Sequence, residues 1–443
     1  MNFSKAYWTV NFAEMLERTA YYGIFIAITF YLSNLLGFSD IEAGIISGLF
    51  SATTYFLQMF SGAYADRLGY RKSLLLAFGL MPIAYFSLGI LPYLYRDFGE
   101  IYRWLIVPVM LILVFTGSIT KSIIRASVAR ETTTETRAKG YSIFYMIVNI
   151  GAFSGKSIID PLRSFTGQNA YIYVNFISAG LCLLAFITTY FLYDSVHTAG
   201  EGKSFKEIGQ GMAKLFTKPR LIVLILIAAG FWTIQQQLYA SMPKYVVRMV
   251  GESAKPGWIA NVNPLVVVLL VNVVTSFMKK RSALTSIFIG ILLVPVAALI
   301  MSTGTFLGDQ PILGLHPVTL MLVIGIMLQG LCECFITPRY LEYFSYHAPK
   351  GEEGLYLGFS QMDSFFASLI GFFMSGFLLD RYCPDPAKFA THQEWLAASA
   401  HAHYIWYYFA AVGLVAALTL VIFSFVTKRI DAKKELEKTM EKQ

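Results

Sequence analysis

Apolar residues in this chain run in blocks long enough to cross a bilayer, divided by short polar breaks, rather than alternating with polar ones as on a water-facing helix or strand. Spans are expected at roughly 8–35, 40–65, 73–95, 102–129, 141–166, 168–194, 219–249, 256–278, 283–303, 315–346, 353–381 and 401–427. Gly37 before Asp40, Gly99, Gly167, Pro256-Gly257 and the stretch from Gly304 to Gly314 supply the turns between them. Twelve such blocks predict an all-α integral membrane protein. The longest polar connection, 195–218, follows the sixth block. It divides the chain into a six-helix half over 1–194 and another over 219–427, with a charged tail at 428–443. Within the connection Phe205, Ile208, Met212, Leu215 and Phe216 recur at helical spacing beside Lys206 and Lys214, a pattern that suits a short helix lying on the membrane surface.

Composition agrees with that reading. Only 14% of the 443 residues are charged, against about 25% in a soluble domain. The net charge of +8 suggests nucleic acid at first sight, but the Lys and Arg residues fall in alternate connections. Arg67, Arg71, Lys72, Arg137, Lys139, Lys214, Lys218, Lys280 and Arg281 lie on the side that also holds the basic tail, whereas the other side carries few. Positive charge marks the cytoplasmic side. The expected placement is therefore a multi-pass protein of a bacterial inner (plasma) membrane with both termini cytoplasmic. The lipid bilayer is a partner and nucleic acid is not. Cys182, Cys332, Cys334 and Cys383 are too scattered to imply a disulfide framework. The sequence contains no phosphate-binding loop, zinc-binding helix or nucleophile elbow, which argues against an enzyme, a cofactor or a metal site.

Two stretches carry chemistry. The connection after the second block reads Gly62-Ala-Tyr-Ala-Asp66-Arg67-Leu-Gly69-Tyr-Arg71-Lys72. Its glycines permit a tight turn, and Arg71 is placed to hold Asp66 against a helix N-terminus. It resembles the signature loop of the major facilitator superfamily, although Met278-Lys279-Lys280-Arg281 in the second half is only basic. The first block contains Glu14-Met-Leu-Glu17-Arg18-Thr19-Ala-Tyr21-Tyr22-Gly23. Positions 14, 17, 18, 21 and 22 share one helix face. Charge that deep in a bilayer normally faces a cavity or a partner, and two acids against one base leave one carboxylate able to take a proton.

That second stretch resembles the first-helix motif of the proton-dependent oligopeptide transporter family, with Thr19 in place of a Phe. Tyr55, Lys121, Phe144-Tyr145-Met-Ile-Val-Asn149-Ile-Gly151, Asn263-Pro264 and Glu333 before Thr337-Pro338 follow in the family's order. Ser122 stands where a proline is usual and Val148 where an Ile is usual. The seventh helix reads Gln235-Gln236-Gln237 where an acid is usual, and the linker is too short for the two extra helices of many bacterial members.

The resemblance implies a divergent member with the major facilitator fold, a proton-coupled symporter of short peptides or peptide-like solutes working by alternating access. The alternative is a proton-coupled carrier of another small solute, such as a drug or a modified amino acid, for import or export. It implies proton coupling through Glu14, Glu17, Arg18 and Glu333. The solute is then met by Arg18, Tyr21, Tyr22, Tyr55, Lys121, Tyr145, Asn149, Gln236, Asn263 and Glu333. A peptide is a zwitterion; Arg18 and Lys121 suit its carboxylate and Glu333 its ammonium. Lys121 and Glu333 are also placed to pair across the halves. Lys156 and Asp160, four apart, read as a self-paired structural unit. Protons and a small-molecule or peptide substrate are the remaining partners; a monomer is expected.

Overall fold

The computed structural model describes residues 3–132, 137–194, 204–278, 280–349 and 353–440. Within these, the side chains of 62–67, 129–130, 137–139, 141–142, 205, 353–354, 431 and 433–440 are outside the description. Among the described residues the architecture is helical, with one bridge between Ile312 and Leu315.

Ten stretches are long and apolar enough to cross a membrane, and one of them, Ile143–Leu192, takes in two helices. Lys5–Phe25 is held back by its three central charges, Glu14, Glu17 and Arg18, and completes a set of twelve. Numbered in chain order, spans 1–6 are Lys5–Phe25, Asp40–Leu68, Tyr70–Phe98, Ile106–Arg130, Arg137–Thr166 and Ala170–Leu192. Spans 7–12 are Pro219–Gln235, Pro256–Met278, Ala283–Ser302, Pro317–Tyr346, Met362–Tyr382 and Tyr404–Met440. Three expected spans are interrupted. Span 1 continues through a π-helical turn at Tyr31–Leu35. Span 7 passes through a 3₁₀ turn at Gln236–Leu238 into Met242–Val250. Glu353–Ser360 precedes span 11, and the Asp363 carboxylate accepts from the Ser364 hydroxyl at 2.9 Å there.

Spans 1 and 5, 1 and 6, 3 and 6, 3 and 4, and 2 and 4 pack together in the first half. Spans 9 and 10, 9 and 12, 8 and 10, 7 and 11, and 7 and 12 do so in the second. The halves meet along spans 2 and 11 and along spans 5 and 8. Because the chain crosses an even number of times, both ends of the described chain lie at one end of the bundle; the breaks after spans 1, 3, 5, 7, 9 and 11 lie at the other. At that far end span 2 approaches span 11 so closely that a Cβ on Gly44 would lie 2.5 Å from the Phe372 carbonyl oxygen.

The segment joining the halves contains a helix, Phe205–Leu215, opened by a capping box between Ser204 and Glu207. Met212 and Leu215 are buried against the protein.

Candidate functional site

Span 1 brings its charged face to the centre of the bundle. Arg18 Nε lies 3.2 Å from Glu14 Oε1 and 2.5 Å from Glu17 Oε2. All three side chains are buried. Glu14 Oε2 has no hydrogen-bond partner among the described residues. One guanidinium thus serves two carboxylates. Arg18 also lies over the Tyr21 ring, with its Cζ 5.2 Å from the centroid. This geometry depends on span 5 coming very near. A Cβ at Gly155 would fall 2.4 Å from the Thr19 carbonyl oxygen, so only glycine permits the approach. Thr19 turns its hydroxyl back to the Met15 carbonyl oxygen at 2.8 Å.

Lys121 on span 4 is buried and makes no ion pair among the described residues. Its ammonium sits between two rings, 4.9 Å from the Tyr21 centroid and 5.2 Å from that of Tyr55. A cavity of about 10 Å³ lies beside it, lined by Glu17, Tyr21, Thr54, Tyr85 and Lys121 among others. That is room for about one water.

On the other half, Glu333 of span 10 faces neutral partners. Its Oε2 accepts from Gln235 Nε2 at 2.9 Å and from Asn263 Nδ2 at 3.4 Å. Tyr145 of span 5 is 42% exposed and lies within electrostatic reach of Glu333. Asn149 donates to the Tyr145 carbonyl oxygen at 2.8 Å. The expected residues thus gather on two facing walls. Arg18, Tyr21, Tyr22, Tyr55 and Lys121 form one wall. Asn263 and Glu333 form the other, with Tyr145 and Asn149 beside them. Gln236 stands apart. Its Nε2 donates to Ser368 Oγ at 3.3 Å, and Ser368 pairs with Ser51 at 2.9 Å, a polar relay joining spans 7, 11 and 2. Gln235 fills the place beside Glu333.

Two other expectations change. Lys156 and Asp160 do not pair: Asp160 Oδ2 accepts from the Trp258 amide at 2.8 Å and so caps span 8. Lys156 turns instead toward Tyr22 and Tyr239. Lys121 and Glu333 form no ion pair in this conformation, each being occupied by its own wall. In the signature loop, Gly69 turns the chain with φ +82°, and Arg71 Nη2 donates to the Tyr190 carbonyl oxygen at 2.8 Å. The side chains of Gly62, Asp66 and Arg67 lie outside the described residues.

The sequence reading missed a buried cluster at the far end. Asp40 Oδ1 lies 2.6 Å from Lys244 Nζ, and Asp40 Oδ2 lies 2.7 Å from Arg248 Nη1. Lys244 also donates to Ser33 Oγ at 2.5 Å, and Arg248 to the Cys383 carbonyl oxygen at 2.7 Å. These residues come from spans 1, 2, 7 and 11 and tie the two halves shut. At the same end Arg163 Nη2 meets Glu252 Oε2 at 2.7 Å.

Two pseudo-equivalent helical halves with opposed charged walls between them and a sealed far end define a membrane carrier. The Major Facilitator Superfamily profile matches residues 10–309, and the chain belongs to that family. It is a divergent member. The Organic Anion Transporter Polypeptide (OATP) family profile matches residues 309–443. The chain is 23% identical over 359 residues to the uncharacterized MFS-type transporter YttB of Bacillus subtilis (strain 168), covering 80% of this chain and 83% of that one. It is 24% identical over 247 residues to dipeptide and tripeptide permease A of Citrobacter koseri, covering 55% of this chain and 47% of the permease. A solved structure described as bearing on substrate recognition in proton dependent oligopeptide transporters superposes with a TM-score of 0.73 at 16% identity, over 96% of this chain and 98% of that one.

Proposed function

We propose that the chain is a proton-coupled symporter of short peptides or peptide-like solutes, working by alternating access in a bacterial inner membrane. The observation that carries this reading is the pairing of walls. An ammonium with no ion pair among the described residues, Lys121, lies between Tyr21 and Tyr55 on one half. A carboxylate, Glu333, is held on the other by neutral amides alone among the described residues. A zwitterion with a carboxylate at one end and an ammonium at the other completes both. The likeness to a dipeptide and tripeptide permease supports the same substrate class.

Proton coupling is assigned to Glu14 and Glu17, which share Arg18, and to Glu333. A proton on one of the first-helix acids leaves a neutral pair with Arg18, and a proton on Glu333 releases an ammonium. The basic connections and tail face the cytoplasm, so residues 1–194 and 219–427 are the rocking halves, 195–218 the cytoplasmic linker and 428–443 the tail. The Asp40 cluster closes the far end in this conformation, so the proposed cycle opens the site next toward the opposite, cytoplasmic end.

Gln235 favours one second reading, a proton-coupled carrier of another small solute such as a drug or a modified amino acid. A neutral amide beside Glu333 gives an incoming ammonium one charge fewer than an acid there would. Counterflow decides between them. Proteoliposomes loaded with a dipeptide are expected to take up the labelled dipeptide, and other free dipeptides are expected to compete. Competition by a drug but by no peptide overturns the peptide assignment.

A further inference from the structure

Lys156 of span 5 is 2% exposed. Among the described residues its ammonium makes neither an ion pair nor a hydrogen bond. The acid one turn away, Asp160, is committed to the Trp258 amide. The Lys156 Nζ lies 5.4 Å from the ring centroid of Tyr22 and 5.4 Å from that of Tyr239. Those rings belong to opposite halves and are 6.1 Å apart, tilted by 33°. Neither hydroxyl makes a hydrogen bond among the described residues. The charge of Glu333 reaches Lys156, but Glu333 makes no ion pair with it and accepts instead from Gln235 and Asn263.

A buried cation without a directly paired acid is expensive in a membrane, and it persists where a ligand supplies the opposite charge at close range. The faces of the two rings keep the ammonium oriented meanwhile. We propose that Lys156, with the hydroxyls of Tyr22 and Tyr239, forms a second anion subsite that takes a substrate carboxylate. The favoured solutes are then short peptides whose first residue is acidic. The placement rests on the peptide reading above, in which Glu333 receives the N-terminal ammonium, since Lys156 lies within electrostatic reach of that acid.

The test uses purified protein in lipid nanodiscs, with dissociation constants measured for Glu-Ala, Ala-Ala and Lys-Ala and with thermal unfolding followed in parallel. Wild type is expected to bind Glu-Ala about tenfold or more tighter than Ala-Ala, the effect of one charge-assisted hydrogen bond, and Lys-Ala weakest. Lys156→Met should bind Glu-Ala no better than Ala-Ala and leave Ala-Ala unchanged. Its unfolding temperature should stay level or rise, because no internal pair is broken. Lys156→Arg should keep the preference. Equal binding of Glu-Ala and Ala-Ala by wild type, or a preference that survives Lys156→Met, overturns the subsite. So does a fall of several degrees in the unfolding temperature of Lys156→Met, which would reveal a structural counter-ion. Binding of none of the three by wild type overturns the peptide reading and this subsite with it.

Discussion

Two carboxylates and one guanidinium share a helix face in span 1, and in the proposed cycle the surplus acid carries the proton. Glu17→Gln removes the surplus while leaving Glu14 to neutralise Arg18. It is expected to abolish uphill uptake yet preserve exchange of substrate across proteoliposomes; unchanged accumulation in this variant would remove the first-helix acids from coupling. At the two walls, each lost charge-assisted hydrogen bond is worth about 1.5–3 kcal/mol, or about one to two orders of magnitude in affinity. Lys121→Ala should therefore weaken peptides with a free C-terminus far more than amidated ones, and Glu333→Gln should weaken free N-termini more than acetylated ones. Binding of one dipeptide in its free, amidated and acetylated forms checks both. The first-helix face was legible from spacing alone, because Glu14, Glu17, Arg18, Tyr21 and Tyr22 fall on one side of any regular helix. Lys156 was not. Its spacing to Asp160 fits an internal pair, and only the fold shows that the Trp258 amide, 98 residues on, has claimed that carboxylate.

Helices here are useful where they stop being regular. The glutamines at 235–237 sit at the end of span 7, where α-helix gives way to a 3₁₀ turn. Periodicity loses its meaning at such a break, so the sequence could not tell which of the three faces Glu333, nor that Tyr239 would pack against Tyr22 and Phe25 of span 1. That most spans exist was readable, by contrast, because a run of about twenty largely apolar residues marks each; the breaks in spans 1, 7 and 11 were not. Close helix approach can be tested at span 5. Gly155→Ala puts a methyl group 2.4 Å from the Thr19 carbonyl oxygen. Backbone must move, so a loss of about 1–3 kcal/mol in stability is expected, as for other overpacked cores. A lower unfolding temperature together with weaker coupling checks this. Wild-type stability and transport would show that spans 1 and 5 are looser than described.

At the scale of the whole molecule, the two halves are latched by charge. Asp40 is 204 residues from Lys244 and 208 from Arg248. No local pattern joins them, and nothing in the spacing pairs a charge at the start of span 2 with two near the end of span 7 until the fold is known. Asp40→Asn leaves Lys244 without its acid and Arg248, among the described residues, with only Asp385, 3.8 Å away. Breaking a buried pair costs about 3–5 kcal/mol, enough to shift the population toward a state open at the far end. Spin labels on cysteines introduced at Glu100 and Asp309, both exposed at that end, should report a longer distance in Asp40→Asn than in wild type; an unchanged distance would mean that the cluster does not hold the gate. In the proposed cycle a proton gradient drives uptake of a zwitterion held between Lys121 and Glu333. The most direct measurement is uptake of a labelled dipeptide into proteoliposomes with an acidic exterior. The account predicts accumulation above the external concentration, collapse of that accumulation on adding a protonophore, and its loss in Glu17→Gln. Accumulation that ignores the proton gradient, or a dipeptide that never enters while the protein is folded and carries another solute, would contradict it.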